Sequence, residues 1–370
     1  MKVLLCSPYI QSSEIVSGGI NIWANNLISY QSTIMSDVEL VPISFDRKSY
    51  VSASTNIISR IFLGAKDLTS SVVTAKKRLS KHDIDVIHIC TSASYSLTKD
   101  IALLRAANHS GVRSIIHFHF GRIPELITKT NWEWKLIRKC LNLTSCAITM
   151  DMKSYCALRN KGFNNVVYCP NPLSHSIINQ INAEIRSIER IDRRILFVGH
   201  VLPTKGVYEL VQACKDIHNI ELHIVGRAED RIKEELLSIA QNKKECEWLK
   251  FRGEIPHTEV LQEMMKASVF VLPSYTEGFP NVILEAMACG CPIVSTTVGA
   301  IPEMLDINNG PNYGICVEPQ DVNALRNSIN VFLNDKKYAL QTSKRAMDRV
   351  NNLYSIPKVW EQLVKIWRSV

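Results

Sequence analysis

Short apolar runs alternate with helical stretches twice along this chain, and that double alternation restricts its fold more than any other feature. Residues 2–6 (KVLLC), 85–90 (DVIHIC), 113–120 (RSIIHFHF), 146–150 (CAITM) and 165–170 (NVVYCP) have strand length and β-branched content. Helical patterns such as 20–30 (INIWANNLISY) separate them, an order that suits parallel strands joined by crossover helices. The segment 168–174 (YCPNPLS) interrupts the series with two prolines around Asn171, because a residue before proline is pushed away from helical geometry. A second series follows at 194–200 (RILFVGH), 220–226 (IELHIVG), 248–254 (WLKFRGE), 268–274 (SVFVLPS), 292–296 (PIVST) and 313–319 (YGICVEP). The expectation is an α/β protein with two tandem Rossmann-like, doubly wound parallel-sheet domains, residues 1–172 and 173–355. A chain of 370 residues exceeds the size at which a single core stops growing. The tail 356–370 reads as an amphipathic helix with Trp360, Leu363 and Trp367 on one face, and is expected to pack back toward the first domain.

Composition excludes disordered and fibrous classes, with 46% hydrophobic and 21% charged residues. The opening MKVLLCSPYI is broken by Pro8 and is too short for a signal-peptide core or a membrane span, so a cytoplasmic chain is expected. The 11 cysteines are mostly isolated in apolar surroundings, where reduced thiols act as small hydrophobes. No CxxC occurs, and Cys289 and Cys291 lack a second pair, so no metal site is expected. The net charge of +8 is uneven: residues 1–175 hold 20 of the 43 Lys and Arg but 11 of the 35 Asp and Glu. A basic half beside a neutral one suits an anionic surface. No recognition helix or aromatic RNA-binding motif accompanies it, which leaves the membrane face rather than nucleic acid.

In doubly wound sheets, ligands sit at the carboxyl ends of strands, so the loops after these runs are where chemistry is sought. After 268–274 comes EGFPNVILE (277–285), with Glu277 and Glu285 around Gly278, Phe279, Pro280 and Asn281. Pro280 suits the first position of a helix, and Gly290 suits its stop. A phosphate at that helix N-terminus would leave a carboxylate on either side to accept from sugar hydroxyls; equally, both glutamates could merely complement the helix dipole. After 194–198, FVGHVLPTKG offers Gly199 for close backbone approach and Lys205 as a point charge. HFHFGR (117–122) places His117 and His119 on one face of a strand end, His119 being nearer the loop.

FVGHVLPTKG, LHIVGRAED, SVFVLPSYTEGFPNVILEAMACGCPIVSTTVGAIPEML and the N-terminal SGG together resemble the retaining glycosyltransferases of family 4. Their GT-B fold sets two Rossmann-like domains about a central cleft. The resemblance implies that Glu277 binds donor sugar hydroxyls and that Glu285 holds the nucleotide ribose. Backbone amides at Gly278, Phe279, Pro280 and Asn281 would meet sugar and phosphate. Lys205 would neutralise the diphosphate beside Gly199, and the Gly18–Gly19 loop would close over it. His119 would lie near the leaving phosphate, making His119, Glu277 and Lys205 the catalytic set. One position departs from the pattern: many members have arginine after the strand glycine, and here His200 stands there, with Arg227 after Gly226 as a possible substitute.

The resemblance further implies a metal-independent hexosyltransferase with no cofactor. Its donor would be a nucleotide diphosphate sugar, UDP-sugar favoured and GDP-sugar next, and its acceptor a lipid-linked glycan or oligosaccharide. Such enzymes build bacterial O-antigen, capsule or exopolysaccharide at the inner face of the membrane. The segment 128–143 (TKTNWEWKLIRKCLNL) mixes Trp132, Trp134, Leu136 and Ile137 with Lys129, Lys135, Arg138 and Lys139, as a headgroup-facing helix does. Residues 56–66, followed by the basic run 76–81, are a second such candidate; alternatively both apolar faces pack on the sheet. A nucleotide-sugar-binding subunit with little turnover, or an epimerase on a related scaffold, are the other readings.

Overall fold

The computed structural model describes residues 1–8, 19–45, 72–240, 246–307, 310 and 312–370. Two compact units emerge, one made of Met1–Pro172 with Ile356–Val370, the other of Leu173–Ser355. The candidate segment 56–66 and Gly18 lie outside the described residues.

The first unit holds β1 (Lys2–Ser7), β2 (Glu39–Ser44), β3 (Val86–Thr91), β4 (Arg113–Phe118), β5 (Cys146–Thr149) and β6 (Val166–Tyr168). They form one parallel sheet in the order β2-β1-β3-β4-β5-β6. β2 is absent from the sequence reading because Pro42 sits inside it, paired with Leu5. Proline removes a ladder donor, which a strand with a neighbour on one side tolerates; among the described residues β2 pairs with β1 alone.

Both faces of this sheet are covered, and alternate residues of each strand divide between two cores. Leu4, Cys6, Ile87 and Ile89 join Trp134, Ile137, Cys140 and Leu141 of the helix Trp132–Leu143 on one face. Val3, Leu5, Val86 and Cys90 join Trp23 and Leu27, together with Trp360, Leu363, Ile366 and Trp367 of the helix Ile356–Ser369, on the other. The segment 128–143 therefore spends Trp134 and Ile137 on the core. Of its aromatic pair only Trp132 is exposed, stacked on Tyr95 with ring centroids 5.2 Å apart. No helix among the described residues is long and apolar enough to cross a membrane.

The second unit holds β7 (Arg194–Val198), β8 (Glu221–Val225), β9 (Leu249–Gly253), β10 (Val269–Leu272), β11 (Ile293–Thr296) and β12 (Ile315–Val317). Their parallel order is β12-β11-β10-β7-β8-β9. The winding direction reverses between β7 and β10. A crevice opens outside the carboxyl ends of strands at such a reversal, so the loops after β7 and β10 are the ones brought to it.

A buried charge cluster braces the opposite part of this sheet. Glu263, on the helix His257–Lys266, lies 3.4 Å from His223 Nδ1 and 3.6 Å from Arg194. The His223 contact, with Lys266, Arg252 and Arg194, holds its carboxyl down at about 2 against the opposing effect of burial. A carboxylate depressed in the folded state stabilises fully above its unfolded value and loses that contribution as pH falls. The expected result is a melting temperature that drops between pH 4.5 and 2, with Glu263→Gln less stable at neutral pH by on the order of 2 kcal/mol and flatter in acid. Calorimetry across that window checks it.

Candidate functional site

The loop after β7 is built for close approach. Gly199 N donates to Val225 O at 3.0 Å and Val201 N to Arg227 O at 2.9 Å, which ties this loop to the one after β8. A single 3₁₀ turn, Pro203–Lys205, ends at Gly206 with φ of 69°. A Cβ there would lie 2.0 Å from the Pro273 carbonyl oxygen, so only glycine lets the loops after β7 and β10 touch. Tyr275 N donates to Thr204 O at 2.9 Å and the Tyr275 hydroxyl to Glu209 Oε1 at 2.6 Å.

These contacts bring together two groups that lie 72 residues apart in the chain. Lys205 Nζ donates to Glu277 Oε1 at 2.6 Å, and Ser274 Oγ donates to the same oxygen at 2.7 Å. Glu277 is largely buried and Lys205 is partly exposed. From the other side, Ala300 N donates to Gly278 O at 2.9 Å. Gly299, at φ of 55°, leaves room for the Glu277 carbonyl oxygen, which a Cβ would approach to 2.4 Å. Glu277 is thus held at its carboxylate by the side chains of Lys205 and Ser274, and its backbone lies against the loop at Gly299 and Ala300.

The helix that follows runs Asn281–Ala288, with Pro280 as its cap at φ −74° and ψ 109°. Pro280 is therefore the residue before the helix rather than its first, and having no N–H it contributes no donor of its own. The helix N-terminus still presents its first backbone N–H groups and positive end beside Glu277. Phe279 is buried, its ring 5.9 Å from that of Tyr354. Its side chain belongs to the core, and only its backbone is available to a ligand.

Glu285 lies one turn into the helix, with Oε1 3.1 Å from His257 Nε2. His257 heads the helix His257–Lys266 after β9, and the hydrogen bond it donates to Glu285 raises its pKa above the usual histidine value despite burial. Sequence reasoning passed over His257. The rule that singled out the loops after β7 and β10 applies equally to GEIPHTEV after β9, but a lone histidine at a helix start carries no pattern of its own. His200 and Arg227 are both exposed, on adjoining loops.

In the first unit, His119 follows β4 and its backbone N donates to Thr91 O at 3.0 Å. Burial, with His88 nearby, pushes its pKa down to about 3. The ring is neutral at physiological pH, so it can offer a hydrogen bond but carries no positive charge. His117 is fully buried, its ring centroid 4.0 Å from that of His119. Trp367 Nε1 can only donate, and meets His88 Nδ1 at 2.9 Å. The His88 proton is therefore on Nε2, which faces His117 Nδ1 at 3.3 Å and leaves the His117 proton on its own Nε2. Gly19 begins the helix Gly19–Gln31, and among the described residues nothing lies within 4 Å of the place a Cβ would take.

Among the described residues, no group of three or more His, Cys, Asp and Glu could hold a metal ion. The buried Cys289 and Cys291 have thiols raised by burial, Cys291 to about 11.

Comparison with known proteins gives a family match inside the second unit and likenesses that span the whole chain. The family described as glycosyl transferases group 1 matches residues 192–335, the span that contains both loops and Glu285. An uncharacterised glycosyltransferase of Methanocaldococcus jannaschii is 26% identical over 385 residues, covering 100% of this chain and 97% of the relative. The capsular polysaccharide biosynthesis glycosyltransferase CapM of Staphylococcus aureus is 30% identical over 182 residues, 47% of this chain and 45% of CapM. The crystal structure of Anabaena HepE in complex with UDP superposes with a TM-score of 0.72 at 18% identity, covering 100% of both chains.

Proposed function

We propose, for a chain that belongs to the group 1 glycosyltransferases and has their two-domain GT-B fold, a retaining transfer of a hexosyl group from a nucleotide diphosphate sugar. The observation that carries this reading is the Lys205–Glu277 contact of 2.6 Å at the reversal of the second sheet, beside a helix N-terminus. A diphosphate placed there meets Lys205 and the first amides of the helix Asn281–Ala288. Glu277 accepts from donor sugar hydroxyls, and Glu285 accepts from the nucleotide ribose. A UDP-sugar is favoured, in keeping with the UDP bound by the Anabaena protein.

In the reaction, the bond from the anomeric carbon to the leaving phosphate oxygen breaks, and a bond to the acceptor oxygen forms on the same face. The acceptor's proton passes to the departing diphosphate, whose charge is offset by Lys205 and the helix amides, donors already oriented before the reaction. The acceptor is a lipid-linked glycan or oligosaccharide of a bacterial surface polysaccharide, a reading supported by CapM's role in capsular polysaccharide biosynthesis. The basic first half and exposed Trp132 favour work at the inner membrane face.

The donor class is read from thermal shifts with UDP-, GDP-, ADP- and TDP-sugars on the wild type, Lys205→Ala and Glu285→Ala. A ligand at a hundred times its Kd adds about 2.7 kcal/mol to native stability. One nucleotide class should raise the wild-type melting temperature and neither variant should respond. Equal shifts in both variants would move the diphosphate site elsewhere.

A further inference from the structure

Stability alone gives no reason for the contact between His257 and Glu285. His257 is the first residue of its helix, where an imidazolium opposes the positive end of the dipole. Its side chain is 50% exposed, and an ion pair open to water on one side adds little to folding. Glu285, by contrast, is 13% exposed, so its carboxylate is mostly desolvated and needs a partner to keep its charge and orientation.

The contact uses one carboxylate oxygen, Oε1. An ionised carboxylate offers about four acceptor positions in one plane, so occupying one fixes the plane while Oε2 stays available to a ligand hydroxyl. We infer that His257 is a positioning residue for the donor nucleotide, holding Glu285 so that its other oxygen receives a hydroxyl of the ribose. This rests on the donor reading above.

A ligand that covers Glu285 removes its remaining water, and a desolvated carboxylate then depends more on a cation beside it. Donor binding therefore favours protonated His257, and affinity falls as pH rises through the raised pKa of this imidazole. Several charged groups on the elements packed around the pair have other partners. Glu184, on the helix His175–Glu184, accepts from Gln262 at 2.8 Å and Gln180 at 3.3 Å. Arg190 donates to the carbonyls of Ala267 and Gly290. On the helix Lys336–Arg349, Arg349 pairs with Asp306 and Arg345 donates to Asn312 O and Thr342 Oγ1. On the histidine's own helix, Glu263 faces His223, and Glu259 lies in the first turn.

The test is the dissociation constant of UDP-glucose, by titration calorimetry from pH 5.5 to 8.5, for the wild type, His257→Gln and His257→Ala. Each phosphate of this donor carries one ester and one anhydride linkage and has no pKa in that range, whereas the terminal phosphate of free UDP titrates near 6. Wild-type affinity should fall about tenfold across the range, equivalent to about 1.4 kcal/mol. His257→Gln should bind with a flat profile near the wild-type value at high pH, and His257→Ala more weakly still. Melting temperatures equal to wild type would show that the variants fold. A slope that persists in His257→Gln would assign it to another group and overturn the inference while leaving the donor site standing. Failure of wild type to bind at any pH would remove the UDP-sugar reading and this inference with it.

Discussion

Glu277→Gln is expected to lower sugar transfer by about a thousandfold, the scale of removing one oriented charged group from a reacting centre. The carboxylate takes hydrogen bonds from Lys205 and Ser274 on a single oxygen, and Gly206 and Gly299 admit the backbone that holds it there. Glutamine keeps the shape but loses the charge, leaving Lys205 without its counterion beside the anomeric carbon. Because that loss falls mainly on the transition state, kcat should drop while donor affinity changes by less than about tenfold. Single-turnover release of the nucleoside diphosphate, measured alongside calorimetric Kd, separates the two. Lost affinity with unchanged turnover would make Glu277 a binding group only. Donor binding by a wild type that releases no product would favour a binding subunit without turnover.

Trp367→Ala should destabilise the first unit by about 3–5 kcal/mol. The side chain is fully buried, meets Trp360 edge to face at 5.5 Å, and donates to His88 Nδ1. Alanine opens a cavity and also orphans a buried acceptor in the chain that sets the His117 tautomer. Trp367→Phe keeps most of the packing and should cost about 1–3 kcal/mol for the unsatisfied His88 nitrogen. Chemical denaturation, followed separately for the two units, tests the ranking. An alanine variant with wild-type stability would mean that the tail helix does not hold this core.

Much of this was legible because buried parallel strands are written as apolar runs, and the runs at 194–200, 220–226 and 268–274 correspond to β7, β8 and β10. β2 was not legible, since Pro42 disguises a strand whose missing donor matters little on a side where no described strand pairs with it. Lys205 and Glu277 could be singled out from motif and order, but their contact could not, because it depends on the sheet reversal that sets β7 beside β10. Phe279 shows the converse: a motif position suggests a donor contact, while packing against Tyr354 takes its ring. For Trp134 and Ile137 the sequence left headgroup contact and packing on the sheet both open, and they lie in the core. The neutrality of His119 is invisible in HFHFGR because burial and the neighbouring His88 decide it. His257 escaped notice because its importance lies entirely in the 3.1 Å contact with Glu285.

The most direct test of the donor site is a structure determined with intact UDP-glucose. The diphosphate should lie within hydrogen-bonding distance of Lys205 Nζ and the first amides of the helix Asn281–Ala288, with the ribose against Glu285 and the glucose hydroxyls against Glu277. A diphosphate bound away from these groups, or no density for it at millimolar donor, would contradict the account.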